Sequence, residues 1–395
     1  MAPIKFKFFL ERSGSMIPYD ARTTSGDFKA AISKLLNNIP DNNDPSNMFY
    51  VVNDAVYLYN SSYKDFIQSK DIFADTNNMG DPRYTDFTCI FDSLLSHTGE
   101  NELSILVSDL IYSTKDMANV SNEKILNEAN ALTRSVFKGH ADKMVLIIKM
   151  NADFDGTYYT FQSPSKGIKY HGNRPYYFVI VANPTVIHRI FLDPQYKDFI
   201  NFASLQGYEN YYCFSKTDQQ VDYSVLLTNP RNQGRIGAVK GQTLIHEIEK
   251  IKPDRDGIVT ITIALDLSKI IVPDSILLNK NNYDISSLSG FNIKTIEKIP
   301  DSERDDKLRF IPNATHYITL STNNNISYET TSISLKNKLP QWVEKSNCDD
   351  DTNLDDRYFK ETTFAFKYLM KGIYEAYYGT TDVPSFFSIE LTINK

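Results

Sequence analysis

Short runs of consecutive apolar residues, each ending in a polar stop, punctuate the first half of the chain. Ile4–Leu10 comes first, then Met48–Val52, Ala55–Tyr59, Leu103–Val107, Met144–Ile148, Thr157–Phe161 and Tyr176–Val181. Unbroken apolar runs of about five residues suit strands covered on both faces. Between them the apolar residues fall three and four apart. Phe28, Ala31, Ile32, Leu35 and Leu36 mark a helix over Phe28–Asn38. Others are predicted at Tyr63–Gln68, from Cys89 to Leu95, over Glu123–Phe137 and from Pro184 onward. Ser121 is placed to cap the helix over Glu123–Phe137. Asn53-Asp54 and Asp155-Gly156 read as turns, and Gly172–Pro175 as a loop. The β-then-α alternation predicts an α/β domain over residues 1–200, with three layers and a mostly parallel central sheet.

Beyond residue 200 the rhythm changes. Tyr211–Phe214, Tyr223–Leu227, Val259–Leu265, Ile293–Ile296, His316–Leu320 and Ser332–Leu335 are separated by Asn-rich and Asp-rich turns. This predicts an antiparallel β-sandwich-like domain over 201–340. The remainder, 341–395, reads as an acidic linker, a helix over Phe359–Tyr378 and a last strand, Phe386–Ile393, packing on the β domain with Trp342 as an anchor. Asp349, Asp351 and Asp355 invite a calcium reading. The run lacks the central Gly of an EF-hand loop, so a solvated linker is the better expectation.

At 395 residues the chain is too long for one ordinary core. The 25 Tyr and 24 Phe favour sheet. A formal charge of -7 gives no general attraction to nucleic acid or anionic lipid. Arg231, Arg235 and Lys240 form a small basic patch without interleaved aromatics, and Gly234, Gly237 and Gly241 beside them read as turns. Three separated cysteines and six scattered histidines form neither a disulfide framework nor a zinc cluster. No run approaches the roughly 20 apolar residues of a membrane span. The first strand begins within a few residues of Met1. That start suits a cytoplasmic protein, or an exported one whose leader has been removed.

Candidate chemistry sits at strand ends. Glu11, Ser13 and Ser15 follow the first strand, with Gly14 between the serines. Thr88 precedes a helix, and Asp109 ends the strand Leu103–Val107 in VSDL. Successive strand ends of a parallel sheet meet at one edge, where α/β proteins bind ligands. Two carboxylates and three hydroxyls are hard oxygen donors suited to Mg²⁺ or Mn²⁺. Each residue also has an ordinary role, Thr88 as a helix cap and Asp109 in a strand-end turn.

These residues resemble the metal-ion-dependent adhesion site of the von Willebrand factor type A (vWA) family. Its pattern is Asp-x-Ser-x-Ser after the first strand, a Thr in a following loop and an Asp after a later strand. Glu11, Ser13 and Ser15 match the first part, Thr88 the second and Asp109 the third. The resemblance covers about residues 1–200. It implies a protein-binding module that clasps an exposed carboxylate of a partner protein through the cation. The loops around it would be Ile17–Thr24, Asn77–Phe87 and Leu110–Val120, carrying Tyr19, Tyr84 and Tyr112. The departure is Glu11, one methylene longer than the family's Asp. Arg12 beside it offers a guanidinium in place of a metal. Two other readings stay open: a metal-free structural component of a larger assembly, and a metal-assisted phosphoester hydrolase with Ser13 or Ser15 as nucleophile.

Overall fold

Lys5–Glu11 (β1) lies inside a seven-stranded sheet, with a parallel neighbour on each side. The structure is a computed structural model. It describes residues 2–60, 62–83, 85–113, 120–163, 165–215, 219–304, 308, 310–381 and 383–394. The neighbours of β1 are Met48–Val52 (β2) and Glu102–Ser108 (β4), and Val56–Leu58 (β3) pairs antiparallel outside β2. The order is β3-β2-β1-β4-β6-β5-β7. Here β5 is Met144–Tyr158, β6 is Ile168–Ala182 and β7 is Tyr208–Phe214.

Two of the six pairings in this sheet are parallel, β1 with β2 and β1 with β4; the others are antiparallel. The expectation of a mostly parallel sheet is therefore corrected. An apolar run shows that a strand is buried but not which way it points, and β6 folds back to insert between β4 and β5. Tracing the pairings, β1, β2, β4 and β5 run one way and β3, β6 and β7 the other. The carboxyl ends of β1, β4 and β5 thus share one edge.

Helices cover both faces. They are α1 (Asp27–Asn37), α2 (Tyr63–Gln68), α3 (Phe87–Ser96), α4 (Asn122–Lys138) and α5 (Pro184–Leu192). Tyr176 and Tyr177 are successive residues of β6 and point to opposite faces, as a pleated strand requires. Tyr176 meets Phe28 of α1 edge-on at 4.9 Å, and Tyr177 stacks at 4.4 Å on Phe366 of a later helix. Ser121 precedes α4, but its side chain makes no capping hydrogen bond.

β5 and β6 are longer than the apolar runs suggest. Asp155-Gly156 is not a turn but the outer part of β5, and Gly172–Pro175 lies within β6. Gly156 is needed because Pro18 packs directly on it; a Cβ there would stand 2.7 Å from the proline ring. The outer half of this hairpin overhangs the edge where β1 and β4 end.

The chain divides into two units. Met1–Ser215 with Leu339–Thr380 forms the first, and Lys216–Lys338 with Thr381–Lys395 the second. The second unit has two sheets and resembles a β-sandwich. Its strands are β8 (Tyr223–Leu226), β9 (Arg235–Ala238), β10 (Glu247–Lys252), β11 (Val259–Leu265), β12 (Tyr283–Ser286), β13 (Asn292–Lys298), β14 (His316–Thr322) and β15 (Glu329–Lys336), with a short helix α6 (Asp274–Leu277). The order β13-β14-β11-β8 makes one sheet. The other is β12-β15-β18-β10-β9, where β18 is Ser385–Ile393. Arg231 of the basic patch is paired with Glu297 at 3.1 Å and Glu303 at 2.9 Å.

The segment before β18 belongs elsewhere. Gln341–Lys345 (α7), the paired strands β16 (Asn347–Cys348) and β17 (Thr363–Phe364), and α8 (Phe366–Tyr378) all lie in the first unit. This differs from the expected packing of the whole tail on the β domain. Trp342 lies near Phe366, 5.9 Å between ring centroids, and α8 packs on α4, where Thr133 donates to the Leu369 carbonyl at 2.9 Å. Helix α8 begins at Phe366, so Phe359–Thr362, expected as helix, instead passes through a short 3-10 turn. Among the described residues no helix is long and apolar enough to cross a membrane.

Candidate functional site

Glu11 is the last residue of β1, and its carboxyl group is 1 % exposed. Thr85 donates to its Oε1 at 2.6 Å, and Ser108, the last residue of β4, donates to its Oε2. The Ser13 hydroxyl is a third hydrogen-bonding partner. Burial raises the Glu11 pKa well above the usual carboxylate range; the charge of Asp109 pushes the same way, and the three hydroxyls oppose them.

Asp109 is equally buried. Its Oδ1 accepts from the Ile111 backbone N–H at 3.0 Å, and the Ser15 hydroxyl hydrogen-bonds its carboxylate. Among the described residues its Oδ2 has no hydrogen-bond partner. Burial raises this pKa too, while Ser15, the Ile111 N–H and the positive charge of Arg174 pull it down. The two carboxyls are joined through the serines, whose Oγ atoms lie 3.0 Å apart. After Asp109 the backbone turns through Leu110 at φ 51°, a left-handed conformation unusual for a branched residue. Ser108 Oγ holds that turn by accepting from the Leu110 N–H at 2.9 Å. Such strain collects at functional sites.

Glu11, Ser13, Ser15 and Asp109 therefore converge. Thr88 does not join them: it is an exposed residue in the first turn of α3, which begins at Phe87. The helix turns Phe87, Ile90 and Phe91 inward, and Asp86 supplies the cap by accepting from the Cys89 N–H at 3.0 Å. Thr85, in the loop before the cap, holds the position expected for Thr88. Thr85 and Ser108 were missed in the sequence. Ser108 adjoins Asp109 at the end of an apolar run, and that adjacency was the only available sign.

Arg12 does not replace a metal. Its Nε donates to the Phe73 carbonyl at 3.3 Å and its Nη2 to Asn77 Oδ1 at 3.0 Å, so it binds the 71–77 loop. Two of the three tyrosines expected to serve an interface are buried. Tyr19 is 1 % and Tyr112 4 % exposed, and Tyr84 and residues 114–119 of the third loop lie outside the described residues.

Gly14, between the two serines, is held from two sides and stays half-buried. Gly14 donates its N–H to the Pro82 carbonyl at 2.8 Å, and Tyr159 of the β5–β6 hairpin lies against it, so that a Cβ at Gly14 would stand 3.1 Å from the ring. Farther back, Arg174 of β6 is fully buried, stacked 3.9 Å from the Phe359 ring centroid and 4.8 Å from that of Tyr158. Asp351 completes this layer. Its Oδ2 accepts from Tyr158 Oη at 2.8 Å, and burial pushes its pKa up to about 6. The acidic segment is thus not merely a solvated linker.

The cluster offers oxygen donors only. They are two buried carboxyls and the hydroxyls of Ser13, Ser15 and Thr85, with one Asp109 oxygen unpartnered among the described residues. Among the described residues no three His, Cys, Asp or Glu side chains form a metal-binding group, so the hydroxyls would have to contribute.

A pH effect follows. The folded pKa of Glu11 lies above its unfolded value, so folding takes up a proton there. That stability is fully present below about pH 4.5 and is lost as pH rises through the raised value. In EDTA, the stability of wild type relative to Glu11→Gln is expected to fall from about pH 4.5 to about pH 8 and to level off above that. Urea denaturation of both chains checks this, and a pH-independent difference would show that Glu11 is ionised throughout.

Comparison with family models, curated proteins and solved structures yields no match to this chain.

Proposed function

We propose that the first unit is a vWA-like protein-recognition module. In it Ser13, Ser15 and Asp109, with Glu11 and Thr85 around them, hold Mg²⁺ or Mn²⁺, and the cation serves to engage a carboxylate of a protein partner. The observation that carries the reading is Asp109 Oδ2, a buried carboxylate oxygen that has no hydrogen-bond partner among the described residues and lies beside a second buried carboxyl. Such a group costs several kcal/mol unless it is neutralised. When bound, the cation would supply that neutralisation and an electrophilic position for an incoming carboxylate. The protein's own part is to hold the donors rigidly: β1 and β4 fix Glu11 and Asp109, and the Leu110 turn sets the Asp109 side chain.

A second reading is favoured by a different observation. Both oxygens of Glu11 already accept hydroxyl hydrogen bonds, and a raised pKa keeps a proton available to the pair. A metal-free structural module would need nothing more. The hydrolase reading gains no such support: the Ser13 and Ser15 hydroxyls hydrogen-bond each other, and no histidine stands by them to act as a base among the described contacts.

Calorimetric titration of the full chain with Mn²⁺ and Mg²⁺ separates these. Wild type is expected to take up one ion, Thr85→Val to bind it at least tenfold more weakly, and Thr88→Val to match wild type. No heat of binding in wild type would leave the metal-free reading.

A further inference from the structure

The β5–β6 hairpin touches two different parts of the first unit through alternate residues of one short stretch. The Tyr159 ring lies against Gly14, the residue between Ser13 and Ser15, where a Cβ would stand 3.1 Å from it. Its neighbour Tyr158 points the other way and donates to Asp351. Two residues beyond Tyr159, the Phe161 backbone N–H donates to the other oxygen of Asp351 at 3.0 Å. One carboxylate therefore grips the chain on both sides of Tyr159.

The grip is reinforced by rings. Phe161 stacks on Phe364 at 4.9 Å with 2° between planes, and Phe359 meets both Tyr158 and Tyr170 at 4.9 Å. Arg174 donates to the Phe359 carbonyl, and Lys149 to that of Glu361 at 2.9 Å. All these partners lie between Asp351 and Phe364, some two hundred residues later in sequence. On the opposite side the hairpin holds the loop after β1. Asp153 accepts from the Ser25 N–H at 3.0 Å, Asp155 accepts from the Thr23 hydroxyl, and Gly156 seats Pro18. A purely structural clamp would gain more from apolar packing than from a buried carboxylate. The two hydrogen bonds to Asp351 are the polar part of this grip, and the ring contacts around them must part with them for the hairpin to lift.

We infer that Asp351 is a latch: it fastens the β5–β6 hairpin so that Tyr159 closes the Glu11–Asp109 cluster, and the C-terminal segment of the first unit thereby gates access to it. This rests on the cation reading for its purpose, but the closure itself is independent of any ion. The partner carboxylate, on this view, reaches the cluster only after the latch releases.

The test uses the full chain and two measurements, hydrogen exchange of the peptide covering residues 12–16 and the stopped-flow association rate of Mn²⁺. Asp351→Ala is expected to speed exchange at 12–16 and Mn²⁺ association by tenfold or more, whereas Asp351→Asn, which keeps a hydrogen-bonding acceptor, stays within a factor of about three of wild type. Tyr159→Ala, which removes the cover and leaves the latch, is expected to reproduce both increases, and it decides the matter if Asp351→Ala fails to fold. Faster exchange in the 156–162 peptide alone, with residues 12–16 and the Mn²⁺ rate unchanged, would overturn the latch. If no chain binds Mn²⁺, the cation reading fails, and exchange at 12–16 still decides the latch.

Discussion

Asp109→Asn is expected to abolish the response to Mg²⁺ and Mn²⁺ while leaving the folded state intact or slightly stabilised. A ligand present at a hundred times its dissociation constant adds about 2.7 kcal/mol to stability. Wild type should show a gain of that order at saturating Mn²⁺, and the variant none. The reason lies in the charge. Asn keeps an acceptor for the Ile111 N–H at the Oδ1 position, but it brings no negative charge to the orphaned Oδ2 position. Without cation the same change relieves repulsion between two buried carboxyls, so the metal-free midpoint should not fall. Thermal unfolding with EDTA and with Mn²⁺ measures both effects. An undiminished Mn²⁺ shift in Asp109→Asn would show that the ion binds elsewhere. Loss of stability in EDTA would mean that Asp109 is a structural anion served by Arg174.

Gly372→Val is expected to have the largest effect on folding. Gly372 lies where α8 crosses α4, and a Cβ there would stand 2.1 Å from Thr133 Oγ1 and 2.2 Å from the Asn130 carbonyl. The second of these is backbone and cannot rotate away. Inserting a branched side chain must therefore separate the helices and break the hydrogen bond from Thr133 to Leu369. Overpacking of this kind costs about 3 kcal/mol. Because α8 follows directly on the Asp351–Phe364 segment, the same variant should also expose the β5–β6 hairpin to hydrogen exchange. Urea denaturation gives the first quantity; a midpoint within error of wild type would show that α4 and α8 have room to adjust.

The sequence was most legible where one physical rule acts locally. Five-residue apolar runs marked the buried strands, and helical spacing marked α1 and α4, because burial on two faces or one stripe leaves a periodic trace. The change to polar-separated short strands near residue 200 likewise announced a second, β-rich unit. That Glu11, Ser13, Ser15 and Asp109 would come together was readable because strand ends of like direction gather at one edge, and β1 and β4 do run in parallel.

What depended on distant partners was not legible. Strand direction beyond β4 was settled by β6 returning between β4 and β5, an exchange of hydrogen bonds that leaves no mark on an apolar run. The Asp155-Gly156 dipeptide resembles a turn locally, yet it stays in the strand because Pro18 packs on it. Thr85 rather than Thr88 reaches Glu11 because α3 starts at Phe87, one residue past its Asp86 cap, and Thr88, three residues on, falls on the solvent side of the helix. The role of Asp351 emerges only when a segment two hundred residues away closes on Tyr158. By itself, then, the chain determined which residues must be buried and where its strands and helices lie, since those follow from the transfer of apolar surface out of water. Which polar groups face one another inside was decided by tertiary structure alone, because a buried hydrogen bond has two ends and the sequence around either one does not name the other.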